Sequence, residues 1–261
     1  MVGYRLVATD LDGTLLGVDK RPTKGVVDAL RRANEQGAHI AIASGRMTCT
    51  QRDLIKEMGL DCSIISYNGS VVVQEDGSSV ETDIDVDIMR DVIGYCYDHG
   101  RYVQTYHGDT ILTDRDSPML RSDMDSRSAE IRFGDLLKMD LSPAPKIVII
   151  ADPSETSGII DDISAMHPSL SVTQSSAYVI EVMPKGVDKS HGLRMVCEHL
   201  DIDREDVIAF GDNKNDIAMI EWAGTGVAVV NAVDELKDVA DIVSKGEMSD
   251  GVQEILDKYF S

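Results

Sequence analysis

Tyr4-Arg5-Leu6-Val7-Ala8-Thr9-Asp10-Leu11-Asp12-Gly13-Thr14 carries a short apolar run straight into two carboxylates and a glycine. The run is too short for a helix and stops where Gly13 permits a tight turn, so it reads as a buried strand. Beyond it the chain alternates. Residues 23–36 have helical spacing, with Val26, Val27, Leu30 and Ala33 on one side and Gly37 as the stop. Residues 38–43 read as a second strand, 50–58 as a second helix and 62–66 as a third strand. Strand–helix–strand repeats with continuously apolar strands predict a parallel sheet covered on both faces.

The last third resumes this rhythm: helix 190–200, strand 207–210, helix 215–222, strand 226–230 and a terminal helix 250–260. The middle differs. A hairpin strand at 70–73 meets a turn at Asp76-Gly77, and a helix at 86–98 precedes strands at 102–106 and 111–113. A polar, irregular stretch covers 114–140. Then come a strand at 146–150, a helix at 155–166 and paired strands at 170–174 and 178–182. The fold class is therefore α/β: a doubly wound parallel-sheet core with an inserted α+β domain. The expected core is 1–83 plus 186–261, and the insertion 84–185. Tyr178 and Met183 are expected to pack in the interior.

With 261 residues, 43% hydrophobic and 27% charged, the chain can bury a good core. Its formal net charge of −21 excludes nucleic acid and anionic membranes as partners, since their affinity comes from Lys and Arg neutralising phosphates. Cys49, Cys62, Cys96 and Cys197 form no CxxC pair and read as thiols in a reducing compartment. No secretory leader is legible and no run approaches ~20 apolar residues, so the expected location is the cytoplasm. The residues do not declare an oligomeric state.

An acidic protein that binds an anion needs positive charge gathered locally. Four segments answer that need. Ligands of open parallel sheets sit beyond the carboxyl ends of the strands, where Asp10 and Asp12 arrive. Alone, Asp-x-Asp-Gly is as compatible with an acidic turn; an EF-hand is excluded by the glycine's position. Ser44-Gly45-Arg46 follows the second strand and offers a hydroxyl and backbone N–H groups, or simply a helix cap. Asp212 and Asp216, four residues apart in Gly211-Asp212-Asn213-Lys214-Asn215-Asp216, fit one face of a helix start or an ordinary first turn. Lys189 opens a helix, an unfavourable end for a cation unless an anion lies beside it. Taken together, carboxylates in excess of basic partners favour a hard, oxygen-loving cation such as Mg²⁺. Gly224-Thr225-Gly226 lacks the third glycine and early position of a dinucleotide fingerprint.

In order and context these residues resemble the four motifs of the haloacid dehalogenase superfamily, and within it the Cof-type phosphatases with an inserted α/β cap. Asp10–Leu15 is similar to the first motif, Ser44–Arg46 to the second, Lys189 in Gly186-Val187-Asp188-Lys189 to the third and 211–216 to the fourth. Asn68-Gly69, the segment 223–228 and Asn231-Ala232 also match; Ser190 departs, standing where relatives carry glycine. The resemblance implies a phosphatase that hydrolyses small phosphate monoesters, such as sugar phosphates, through an aspartyl-phosphate. It implies Asp10 as nucleophile and Asp12 as general acid and base, with Ser44 and Lys189 on the phosphoryl oxygens. Mg²⁺ would be held by Asp10, the Asp12 carbonyl, Asp212 and Asp216. Leu11, Gly45, Arg46, Asn68 and Asn215 would complete the binding of a small phosphorylated metabolite, with Arg46, Asn68 and the 174–183 segment reaching the leaving group. A phosphomutase would share all four motifs, and a catalytically idle sensor would lack Asp10 or Asp12.

Overall fold

In the computed structural model, which describes residues 3–117, 120 and 129–261, two compact units separate: one of residues 3–46, 54–80 and 188–261, the other of 47–53 with the described part of 81–187.

The first unit is built on an eight-stranded sheet. Its strands are β1 (Leu6–Asp10), β2 (His39–Ala43), β3 (Ser63–Ser66), β4 (Val71–Val73), β5 (Ser79–Glu81), β12 (Val207–Gly211), β13 (Thr225–Ala228) and β14 (Ile242–Val243). They lie in the order β14-β13-β12-β1-β2-β3-β4-β5. Pairing is parallel from β14 to β3, and β4 turns back antiparallel. Every residue of β1 and of β12 is buried, which requires cover on both faces and explains their unbroken apolar runs. Helices α1 (Lys24–Glu35) and α8 (Met248–Tyr259) pack together, and α5 (Lys189–Leu200) packs on α6 (Ile217–Trp222) and on β2 to β4. In α1 the threonine before the helix caps it, Thr23 Oγ1 accepting from the Val26 N–H, while Val26, Ala29, Leu30 and Ala33 are buried.

Register fixes where side chains emerge. Asp10 lies opposite Ala43, and Thr9 opposite Phe210. The ends of β1, β2 and β12 are therefore level, and Asp10, Ser44 and Asp212 leave the sheet along one edge.

The second unit holds β6 (Tyr102–His107), β7 (Thr110–Thr113), β8 (Glu130–Phe133), β9 (Ile147–Ile150), β10 (Leu170–Ser176) and β11 (Val179–Pro184), in the order β10-β11-β9-β6-β7-β8. All neighbours are antiparallel except β7 and β8. Met89, Val92, Ile93 and Cys96 of α3 (Val86–Asp98), with Ile159 and Ile163 of α4 (Thr156–Met166), share a core with Val103, Ile147, Ile149, Ile180 and Val182. These strand residues point to one side of the sheet at every second position, as expected of strands covered by helices on that side.

The irregular stretch expected at 114–140 is corrected by β8; positions 118, 119 and 121–128 of it lie outside the described residues. The brief α7 (Asp234–Lys237) and β14 had no sequence signal either, whereas β5 is the second strand of the hairpin expected from the turn at Asp76-Gly77. Met183 is buried as expected, but Tyr178 is 52% exposed in the turn between β10 and β11. All four cysteines are buried and free, and burial pushes their thiols up to about 11 for Cys49 and about 12 for Cys62, Cys96 and Cys197. No helix among the described residues is long and apolar enough to cross a membrane.

Candidate active site

The loop after β1 folds back on Leu11, whose carbonyl accepts from the N–H groups of Leu15 at 3.0 Å and Leu16 at 2.8 Å. Leu11 is fully buried. Gly13 has φ +90, and a Cβ there would stand 2.4 Å from Asp212 Oδ2. Only glycine satisfies both conditions. Thr14 Oγ1 donates to Asp212 Oδ1 at 2.8 Å, and Asn231 Nδ2 donates to the Gly13 carbonyl at 2.8 Å. The Asp10 loop and the Asp212 loop are thereby tied together.

Asp10 is buried, and so is Lys189, the first residue of α5. The Lys189 ammonium donates to Asp10 Oδ1 and to Asp216 Oδ1, both at 2.5 Å. Asp188 caps α5 by accepting from the His191 N–H at 3.0 Å, and Ser190 Oγ donates to the same carboxylate at 2.6 Å. The non-glycine at 190 therefore joins the cap, with the helix regular from Lys189. Asp216 uses its other oxygen, Oδ2, to accept from the Asp212 and Asn213 N–H groups at 3.0 Å each. It thus fixes the turn after β12 as well as the lysine.

Carboxylate oxygens of Asp10, Asp212 and Asp216 lie within 4.8 Å of one another. Three carboxylates against one ammonium leave two uncompensated negative charges, a donor set that fits a divalent, oxygen-binding cation. The electrostatics agree. Burial pushes the Asp10 carboxyl well above its ordinary value, opposed by Lys189 and reinforced by Asp216 and Asp212. Burial likewise raises Asp212, opposed by the Thr14 hydrogen bond and reinforced by Asp216. Burial alone would lower Lys189, but Asp10 and Asp216 outweigh it and hold the lysine above its ordinary value.

Asp12 is not part of this group. Its exposed carboxylate pairs with Arg46, Nε to Oδ2 at 2.8 Å and Nη2 to Oδ1 at 2.5 Å. Ser44 is buried beside them; its Oγ accepts from the Arg46 N–H at 3.2 Å, and its carbonyl accepts from the Asn68 N–H at 3.0 Å. Gly45 adjoins the Asn68 side chain, which a Cβ at Gly45 would meet at 3.2 Å. Asn68 has φ +52, and its Oδ1 accepts from Asn215 Nδ2 at 3.2 Å. Asp10, Leu11, Asp12, Ser44, Gly45, Arg46, Asn68, Lys189, Asp212, Asn215 and Asp216 thus lie in the first unit, and the 174–183 segment lies in the second. Thr14 and Asn231 carry structural ties that their motifs alone did not disclose; a hydroxyl directly after Asp-x-Asp-Gly was the available signal.

The sheet thus brings Asp10, at the end of β1, and Asp216, in the turn after β12, onto one buried lysine. The chain belongs to the haloacid dehalogenase-like hydrolases, whose family model matches residues 7–256. It is 27% identical over 264 residues to the 5-amino-6-(5-phospho-D-ribitylamino)uracil phosphatase YitU of Bacillus subtilis, covering 98% of this chain and 97% of that one. To the phosphoglycolate phosphatase of Methanopyrus kandleri it is 28% identical over 254 residues, covering 97% and 96%. A haloacid dehalogenase-like hydrolase from Bacteroides thetaiotaomicron superimposes with a TM-score of 0.86 at 28% identity, over 98% of this chain and 99% of that chain. The protein TM0651 of Thermotoga maritima does so with 0.86 at 26% identity, over 98% and 97%. The protein is accordingly an enzyme, a phosphoric monoester hydrolase of this superfamily.

Proposed function

We propose that the protein hydrolyses small phosphate monoesters in the cytoplasm with Mg²⁺ as cofactor, passing through an aspartyl-phosphate on Asp10. The observation that carries this reading is the contact between Asp10 and Lys189 inside the carboxylate group of Asp10, Asp212 and Asp216. Residues 1–83 and 186–261 would form the catalytic core, and 84–185 the cap.

The Asp10 carboxylate attacks phosphorus while the ester oxygen departs with a proton from Asp12. Asp12 then takes a proton from the water that attacks phosphorus, releasing phosphate and restoring Asp10. Lys189 and Ser44 hold phosphoryl oxygens, and Arg46 keeps Asp12 at the mouth of the site. Asp10, Asp212, Asp216 and the Asp12 carbonyl would hold the Mg²⁺, which when bound offsets phosphoryl charge so that one anion can approach another. Asn215 and Asn68, hydrogen-bonded together, orient the same edge. Relatives named for a phosphoribitylamino compound and for phosphoglycolate support a small organic phosphate monoester as substrate.

The test is phosphate release from a panel of sugar, nucleotide and short-chain acid phosphates, with and without Mg²⁺, for wild type and Asp10→Asn. Metal-dependent release that the variant lacks is the expected result. No release from any ester by well-folded wild type would overturn the reading.

A further inference from the structure

The sheet of the second unit ends on β8, whose backbone faces two ways. The Glu130 N–H donates to the Asp109 carbonyl at 3.0 Å and the Gly134 N–H to the Thr113 carbonyl at 2.9 Å, with Arg132 level with Leu112 between them. Along a strand, successive residues direct their N–H and C=O groups to opposite sides. The even-numbered residues therefore serve β7. Ile131 and Phe133 turn theirs to the outer side, where no further strand follows among the described residues. Side chains do not shield this edge: Glu130, Arg132 and Phe133 are exposed, Phe133 by 53%, and Ile131 is half-buried. At the opposite edge of the same sheet, β10 is interrupted by a bulge between Gln174 and Ser176, one of the devices that blunt an open strand. β8 is regular from Glu130 to Phe133.

We propose that β8 pairs antiparallel with β8 of a second copy of this chain, joining two six-stranded sheets edge to edge. Copies related by a two-fold axis present the same patch to each other, so the strand meets its own sequence reversed. The outward groups of Ile131 fix the register. Ile131 faces Ile131 of the partner subunit and exchanges both N–H···O bonds with it; on either side Glu130 faces Arg132 of the partner subunit. Those flanking positions are the non-bonded pairs of an antiparallel ladder, whose Cα atoms stand closest, at ~4.5 Å, so that their side chains meet. A slip of two residues keeps outward groups paired but sets Glu130 on the partner's Glu130, or Arg132 on the partner's Arg132. A slip of one sets outward groups against groups already bonded to β7. Opposite charges two residues apart on one strand face thus select a single self-complementary register.

The contact is small. A strand of 4 residues buries less than the ~1,200 Å² at which standard interfaces begin, so the association belongs to the weak, transient class. The net charge of −21 on each chain opposes it at low salt, and that repulsion is screened beyond ~8 Å at physiological ionic strength. β8 carries none of the residues assigned to catalysis, so dimerisation and ester hydrolysis are separable.

Sedimentation equilibrium of the full-length protein from about 5 to about 500 μM, in about 0.15 M salt, tests the pairing. Wild type is expected to pass from monomer towards dimer across that range. Arg132→Glu sets like charges in both flanking pairs and should weaken the dimer about tenfold or more. The double change Glu130→Arg with Arg132→Glu reverses both signs and should restore it. Ile131→Pro removes the outward N–H at the centre and spares the bonds to β7, so it should stay monomeric with an unchanged circular dichroism spectrum. The proposal is overturned if wild type is monomeric at the highest concentration, or if it forms a dimer that Arg132→Glu leaves as strong. It is equally overturned if the double change fails to restore what the single change weakened, or if Ile131→Pro, still folded, dimerises as wild type does.

Discussion

Lys189 Nζ donates to Asp10 Oδ1 at 2.5 Å across 179 residues of chain. Both side chains are buried, and the same ammonium serves Asp216. The lysine is therefore a structural counter-ion as well as the proposed ligand for phosphate. Lys189→Met should strand two buried carboxylates and cost about 3–5 kcal/mol of stability, the usual penalty for breaking a buried pair from one side. Urea unfolding without Mg²⁺ checks it. An unshifted midpoint would mean that the pair contributes nothing to the fold.

Asp10→Asn keeps the shape of the site and removes the proposed nucleophile. Loss of the attacking group in covalent catalysis costs about 10⁴-fold or more in turnover. Phosphate release on the preferred ester, at saturating Mg²⁺, should fall by that order. Turnover within tenfold of wild type would exclude Asp10 as nucleophile, whatever its place beside Lys189.

Thr14 makes the hydrogen bond that aims Asp212. Thr14→Val retains size and loses the donor, so the expected effect is about 10–100-fold weaker metal binding, the range for partners that orient ligands. Two readouts apply: the Mg²⁺ concentration giving half-maximal activity, and the rise in Tm on adding Mg²⁺, which does not depend on turnover. In wild type, chelation should abolish both activity and that rise. If the variant responds to Mg²⁺ as wild type does, Thr14 has no part in holding Asp212.

How much of this was legible in the sequence varied with how local the cause was. The strand leading to Asp10 could be read because its apolar run and Gly13 are consecutive residues, and the parallel order followed from the strand–helix rhythm. Lys189 at a helix start looked misplaced, and that misfit with the helix dipole pointed correctly to anions nearby; its two partners, 179 and 27 residues away, were a matter of packing. β8 stayed hidden because Glu130-Ile131-Arg132-Phe133 is largely exposed, and its strand character comes from pairing with β7. β14 is two residues long and owes its place to β13. The pairing of Arg46 with Asp12 was not legible in the sequence. No spacing rule connects residues from the ends of two different strands. Tyr178 was assigned to the interior by its apolar ring, but the β10–β11 turn turns it to solvent.

Asp83 gives stability a pH dependence in the second unit. Its Oδ1 is buried without a hydrogen-bond partner among the described residues. Burial, reinforced by the charge of Glu81, raises its pKa from 3.8 to about 6. The sign follows from proton uptake. Between 3.8 and about 6 the unfolded chain has released this proton and the folded chain retains it. Stability from this group is therefore fully present below the lower value and is lost as pH rises through the upper one. Asp83→Asn cannot ionise, so it should unfold at a higher urea concentration than wild type at pH 7.5 and match it near pH 4. Plotting the difference in midpoint against pH isolates the group from every other titration in this acidic protein. A difference that is flat across the interval, or that favours wild type at neutral pH, would mean that the folded protein carries Asp83 ionised at no cost.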